Sequence, residues 1–268
     1  MQLFLGILLG IIVAALAWKA KALNRSGALA AALTGGLIFG IGGLPWAALL
    51  LAFFLSSSLL SRLAGRRKQT LSEKFSKGSQ RDWGQVLANG GLGAVLAILH
   101  ALLPGETWLW AAYAGAMAAV NADTWATELG VLNPQPPRLI TTWQPMEYGA
   151  SGAISLLGSL AAMSGAALVG LLAMIFGSSP DPAALFLAAV LGGTAGAFLD
   201  SLLGATLQAI YWCPVCEKET ERHPVHLCGS PTHQIRGWSW LDNDWVNFIA
   251  SLFGALICAL IYMGLRIL

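Results

Sequence analysis

Two carboxylates, Asp123 and Glu128, stand with Asn121 and Thr124 at the close of an otherwise apolar segment, "AAVNADTWATELG". A third acid, Asp200, is embedded in "LGGTAGAFLDSLLGAT", and Asp244 sits between Asn243 and Asn247 in "LDNDWVNF". Asn89 in "QVLANGG" and Ser151 in "GASGAIS" add further polar groups to apolar runs. A carboxylate inside a membrane costs several kcal/mol unless it is paired, hydrated or bound to metal, so these acids mark a functional site by default. Magnesium is the natural occupant, because it takes one or two carboxylates and completes its shell with water and phosphate oxygens. The competing use of the same residues is interhelical hydrogen bonding that holds a bundle together.

Helical geometry limits how the acids cooperate. At 100° per residue Asn121 and Glu128 fall within about 20° of one face, whereas Asp123 and Glu128 diverge by about 140°. Either the helix unwinds around Ala122 to Thr124, or Asp123 belongs to the site while Glu128 holds a basic loop residue. Gly192, Gly196, Asp200 and Gly204 recur every four residues, a small-residue stripe with an acid in its middle that lets another backbone approach closely.

The polar connections supply the complementary charge. Lys77 and Arg81 lead directly into "QVLANGG", and Arg138 with Thr141 and Thr142 in "PRLITTWQP" offers a planar donor with hydroxyls, a set suited to phosphate. No G-x-x-x-x-G-K-[ST] loop is present, so a nucleotide bound here is bound without a Walker A motif. In "CPVCEKETERHPVHLCG", Cys213, Cys216, His226 and Cys228 have the types and spacing of a Cys3His zinc site, with His223 as an alternative ligand and an unligated or redox-active cysteine pair as the competing reading.

These residues must be positioned by membrane helices. Only 10% of the chain is charged and 56% is hydrophobic, far from the roughly 25% charged residues of a soluble domain. Apolar runs near 2–18, 26–44, 46–61, 84–103, 107–129, 149–177, 183–210 and 245–267 predict an all-α polytopic membrane protein with about eight transmembrane helices in a single domain. Residues 211–243 form a polar loop carrying the cysteines. All of the 15 Lys and Arg residues except Arg266 fall on odd-numbered connections. The positive-inside rule therefore puts those connections in the cytoplasm, both termini outside, and the polar cluster at the cytoplasmic leaflet of a cell membrane. Tryptophans such as Trp18, Trp46, Trp83, Trp110 and Trp245 mark the expected span ends, where the headgroup layer suits an amphipathic ring.

Taken together, "QVLANGG", "NADTWATELG", "PRLITT", "SGAISLLGS", "GAFLDSLLGAT", "CPVC" with "HLCG", and "NDWVN" resemble the integral membrane family designated domain of unknown function 92. That family includes the plant plastid phytyl-phosphate kinase of tocopherol synthesis, and the resemblance runs from about residue 25 to residue 254. The segment "WQPMEYGASGA" departs from the family pattern, so contacts around Met146 to Ala150 are not carried over. The resemblance implies transfer of a phosphoryl group from a nucleoside triphosphate, with CTP or UTP the expected donor, to an isoprenyl monophosphate such as phytyl or geranylgeranyl phosphate. Asp123, Asp200 and Asp244 would carry magnesium, with Glu128 a further candidate acid. Asn89, Asn121, Thr124, Ser151, Asn243 and Asn247 would orient waters or phosphates, and Lys77, Arg81 and Arg138 would hold phosphate. A CTP-dependent lipid-alcohol kinase or nucleotidyltransferase is the nearest alternative, and a transporter or flippase the next. The expected partners are the nucleotide, the lipid phosphate and the bilayer. Nothing points to nucleic acid, and self-association is left open.

Overall fold

A computed structural model of the chain describes residues 1–63 and 80–266. Most of the basic connection that contains Lys77 therefore lies outside the described residues. Among the described residues seven helical elements make up the body: α1 (Gln2–Lys19), α2 (Arg25–Leu63), α3 (Trp83–Leu102), α4 (Thr107–Gly130), α5 (Leu156–Phe176), α6 (Pro182–Thr206) and α7 (Asn243–Leu265). Two small antiparallel sheets occupy the connections. One pairs β1 (Arg138–Leu139) with β2 (Ala153–Ile154); the other has the order β4 (Lys218–Thr220), β3 (Ile210–Cys213), β5 (His233–Arg236).

Six of these helices, all but α4, are long and apolar enough to cross a membrane. The expected second and third spans are joined as the 39-residue element α2, broken at Gly43 (φ 74°, ψ −162°) and followed by Pro45. A straight helix of that length would extend about 58 Å. Yet Arg81 binds both arms: its carbonyl accepts from Asn24 N at 3.0 Å, and its guanidinium donates to Ser57 Oγ at 3.0 Å. The element must therefore double back at Gly43, a conformation that positive φ reserves largely for glycine.

Helix α4 is the axis of the bundle. Every residue from Leu109 to Ala122 is buried, and α4 packs against α2, α3, α5, α6 and α7. Its alanines and glycines are the reason. A Cβ on Gly115 would stand 2.3 Å from Cys258 Cβ in α7, and one on Gly196 in α6 would stand 2.5 Å from Ala119 Cβ. Backbones this close gain dispersion contacts that lipid tails cannot supply. A helix enclosed by protein has no need of a uniformly apolar surface, which is why α4 alone can end in "NADTWATE".

Several boundaries differ from the sequence expectation for local reasons. The predicted run from 149 becomes helical only at Leu156, because Gly149 and Gly152 take positive φ and Ser155 caps the helix by accepting from Gly158 N at 3.1 Å. Helix α6 ends at Thr206 rather than 210, where Ile210 starts β3. Trp46 and Trp110 face protein at the end of the bundle. Both are buried around Tyr113, with the Trp46 and Tyr113 rings stacked at 4.2 Å and the tyrosine hydroxyl donating to Trp46 O at 2.7 Å. Trp18, Trp83 and Trp245 are exposed as expected.

Candidate functional site

At the end of the bundle where α4 and α6 finish and α3, α5 and α7 begin, a cavity of about 670 Å³ opens between the helices. Three helix N-termini border it. Each carries positive dipole charge, which favours an anion, and Asp82, Ser155 and Asp242 cap part of the first-turn N–H groups.

The α3 side contributes Arg81, Gln85 and Asn89. Arg81 is anchored in three ways: its backbone pairs with Ala22 and Asn24, its guanidinium donates to Ser57 Oγ, and its charge lies 5.3 Å from the Phe53 ring centroid. Burial lowers the pKa of Arg81, and the charge of Glu128 pulls it back up. Asp82 then caps α3 through a reciprocal box with Gln85, so the cation and the helix start are held as one unit.

Asp123, Thr124 and Glu128 of α4 line the same cavity. The helix is continuous through them, so there is no unwinding at Ala122 to Thr124. The divergence of the two acids is used instead: Glu128 accepts from Ser61 Oγ at 2.5 Å and acts electrostatically on Arg81. Asp123 acts on Asp200, which enters from α6. Glu221, just after β4, is a third acid within electrostatic reach of Asp200.

Asn243 and Asn247 of α7 and Ser151 complete the predicted residues on this wall. Ser151 donates to Gln208 Oε1 at 2.6 Å, and Gln208 Nε2 donates to Glu221 Oε1 at 2.9 Å, tying the 149–155 segment to the strand loop. Gly204 permits this approach, since a Cβ there would meet Gly152 N and Ser151 Oγ at 2.9 Å.

Three predicted residues lie elsewhere. Asn121 is buried and occupied in a joint between helices, accepting from Ser56 Oγ at 3.0 Å and donating to Gly165 O at 2.8 Å. Asp244 is off the cavity wall in the first turn of α7, where Asp242 caps its N–H at 3.0 Å. Arg138 is exposed on the β1 turn and donates to Trp143 O at 2.8 Å. Lys77 is outside the described residues.

The cavity also contains residues that the sequence reading left out of the site. Arg222 and Glu221 arrive from the cysteine loop and Gln85 from α3. Arg222 was visible only as one more loop cation; its distance from the other residues in sequence concealed its placement. Asn89 Oδ1, Asp200 Oδ2 and Arg222 Nε, buried atoms of lining residues, have no hydrogen-bond partner among the described residues. Buried polar atoms are normally satisfied, so two oxygens and one cationic nitrogen left over at one cavity fit a ligand that brings both a cation and an anion.

The four loop residues Cys213, Cys216, His226 and Cys228 also converge, with all ligand atoms within 4.8 Å of one another. Among the described residues, no other group of three or more Cys, His, Asp or Glu side chains gathers that tightly.

A bundle of long apolar helices defines an integral membrane protein, and this one has a polar cavity at one end. The chain belongs to the integral membrane protein family DUF92, whose profile matches residues 8–255. It is 34% identical to Protein PGR of Arabidopsis thaliana, over 97% of this chain and 96% of that protein. An uncharacterized membrane protein of Methanocaldococcus jannaschii is 32% identical, over 98% of this chain and 96% of the relative. Protein VTE6, chloroplastic, of Arabidopsis thaliana is 23% identical, over 89% of this chain and 65% of its own length. No solved structure matches.

Proposed function

We propose that this protein transfers a phosphoryl group from a nucleoside triphosphate, CTP or UTP, to an isoprenyl monophosphate, and that the cavity between α3, α4, α5, α6 and α7 is where it does so. The observation that carries the reading is the pairing, in one cavity, of Asp123 and Asp200 with Arg81, Arg222 and three helix N-termini. Phosphoryl transfer needs little covalent help from a protein beyond in-line positioning, a divalent cation and cationic donors around the equatorial oxygens. The family resemblance supplies the lipid phosphate as acceptor.

Asp123 and Asp200 would hold magnesium, whose chemistry is to neutralise charge on the donor phosphates. Asp200 Oδ2 and Asn89 Oδ1, buried without partners among the described residues, suit a hydrated cation of this kind. Asp244, off the wall, is dropped from the set. Arg81 and Arg222 hold phosphate oxygens, Arg81 with its orientation fixed by Ser57 and Glu128. Asn243 and Asn247, one turn apart on α7, line the same wall, where Asn247 Nδ2 donates to Asn243 O at 2.7 Å. In the reaction an oxygen of the acceptor monophosphate bonds to the terminal phosphorus of the donor as the bridging P–O bond breaks, and the nucleoside diphosphate leaves with that electron pair. The acceptor oxygen is already ionised, so no general base is needed.

The cavity end is assigned to the cytoplasm of a cell membrane, because the connections at that end contain every Lys and Arg except Arg266, which donates to Thr107 at the opposite end. In that arrangement the two arms of α2 count as separate crossings, giving eight, with both termini outside.

Transport is the weaker reading. A second cavity of about 240 Å³ lies at the opposite end beside Trp46, His100 and Glu106. Between the two cavities α4 is buried without interruption and packed against glycine and alanine backbones, which supports chemistry at one face over passage through the bundle. The test is purified protein with magnesium, each labelled nucleoside triphosphate, and phytyl, geranylgeranyl and farnesyl monophosphates or the corresponding alcohols. Labelled diphosphate that disappears with Asp123→Asn is the expected result. Label found only on an alcohol, or no transfer by folded protein, overturns it.

A further inference from the structure

We infer that residues 207–241 are a zinc-stapled module, with Cys213 Sγ, Cys216 Sγ, Cys228 Sγ and His226 Nδ1 as a closed tetrahedral ligand set, and that this staple holds Glu221 and Arg222 against the cavity. Two knuckles supply the ligands. The first is the β3–β4 turn, in which Cys213 pairs with Lys218 and Cys216 N donates to Cys213 Sγ at 3.5 Å. The second is the turn from His226 to Ser230, closed by His226 N donating to Ser230 O at 2.9 Å and Gly229 N to His226 O at 2.9 Å.

The separations match one ion and not a disulfide. A tetrahedral zinc with Zn–S of about 2.3 Å and Zn–N of about 2.0 Å holds its sulfurs roughly 3.8 Å apart and each sulfur roughly 3.5 Å from the nitrogen. Cys213 Sγ and Cys228 Sγ are 3.5 Å apart, and His226 Nδ1 is 3.5 Å from Cys216 Sγ and 3.3 Å from Cys228 Sγ. A disulfide requires about 2.05 Å. His223, the alternative ligand by sequence, stacks on Tyr211 instead, at 4.5 Å between ring centroids. Thiolates with one imidazole in this geometry select zinc over the hard cations that suit carboxylates.

Apart from the β4–β3–β5 sheet and a few buried residues such as Ile210, Tyr211 and Leu241, the module has little of its own to hold it together. Val215, Val225, Leu227 and Ile235 are exposed, and a unit of fewer than about 40 residues seldom buries enough apolar surface to hold itself together without a metal or disulfide. Four protein ligands leave no open coordination position, so the ion is structural. Its effect reaches the cavity by chain continuity: Glu221 and Arg222 lie between the two knuckles, Gln208 binds Glu221, and the Arg236 guanidinium donates to Ala205 O at the end of α6. That last step rests on the phosphotransfer reading; the metal site itself does not.

The test is metal analysis of full-length protein purified in detergent under reducing conditions, then offered zinc and desalted. The expected result is one zinc per chain, lost in the Cys216→Ser/Cys228→Ser double variant and retained in Cys258→Ala, whose sulfur lies in α7. Stripping the zinc from wild-type protein should raise amide hydrogen exchange across 207–241 while the helices stay protected, a readout that needs no activity. Zinc-free wild-type protein after loading, stoichiometric iron, or exchange in 207–241 that is unchanged on stripping overturns the inference. If zinc binds and stripping loosens the module but no nucleotide is turned over, the staple stands and the phosphotransfer reading falls.

Discussion

Arg81 donates to Ser57 Oγ at 3.0 Å, joining the start of α3 to the returning arm of α2. The bond does two things at once. It closes the α2 hairpin at the cavity end, and it fixes the direction of a guanidinium beside a carboxylate cluster. Arg81→Lys keeps the charge but loses the planar fork. Loss of one charge-assisted hydrogen bond, about 2 kcal/mol, predicts roughly a thirtyfold fall in kcat/KM for the phosphate substrates, read from steady-state kinetics in detergent.

Asp200→Asn and Asp123→Asn should each lower turnover beyond the roughly 10–100-fold that residues merely supporting a metal site cost. For Asp200→Asn the melting temperature should stay close to wild type or rise, since Asp200 Oδ2 has no partner to lose among the described residues. Magnesium titration of the residual activity checks the assignment: a curve displaced to higher magnesium is expected, and an undisplaced curve would remove these acids from the metal.

Asn121→Ala should act on stability instead. The amide satisfies Ser56 Oγ and Gly165 O in the bundle interior, so its removal costs about 1–3 kcal/mol and leaves KM for both substrates unchanged. Thermal unfolding measured beside kinetics separates the two effects.

Gly115→Val tests the close packing around α4. Its Cβ would lie 2.3 Å from Cys258 Cβ and 2.5 Å from Gly254 O, so the helices must separate, at a cost of about 1–3 kcal/mol or more. Gly264→Ala, with nothing within 4 Å of its added Cβ, should be neutral or slightly stabilising in the same unfolding assay.

Glu106→Gln addresses the opposite cavity. If the chemistry is confined to one face, this variant keeps wild-type turnover, whereas a through-path that uses Glu106 predicts a loss of flux in reconstituted vesicles.

Much of this protein could be read from its sequence, because a bilayer constrains a chain strongly. Apolar runs of the right length have to become helices, since backbone groups in hydrocarbon must be satisfied within the segment. The asymmetry of Lys and Arg and the C-x-x-C spacing are local signals of the same directness. Asp123 and Asp200 were conspicuous for the cost of placing them in apolar surroundings.

What the sequence could not decide is which polar residues face each other, because that depends on how helices rotate and where they break. Asn121 and Asp123 are two residues apart and carry similar chemistry, yet 200° of helical rotation sends one into a joint with Ser56 and Gly165 and the other to the cavity. Gly43 turns one 39-residue element back on itself, bringing Asn24 and Ser57 to the same arginine. Arg222 reaches the cavity only because a loop remote in sequence folds over the ends of α6 and α7. Composition and periodicity determined that this chain is a membrane bundle with acids at one end; tertiary packing, through the close contacts that its glycines allow, decided which of those groups share a site.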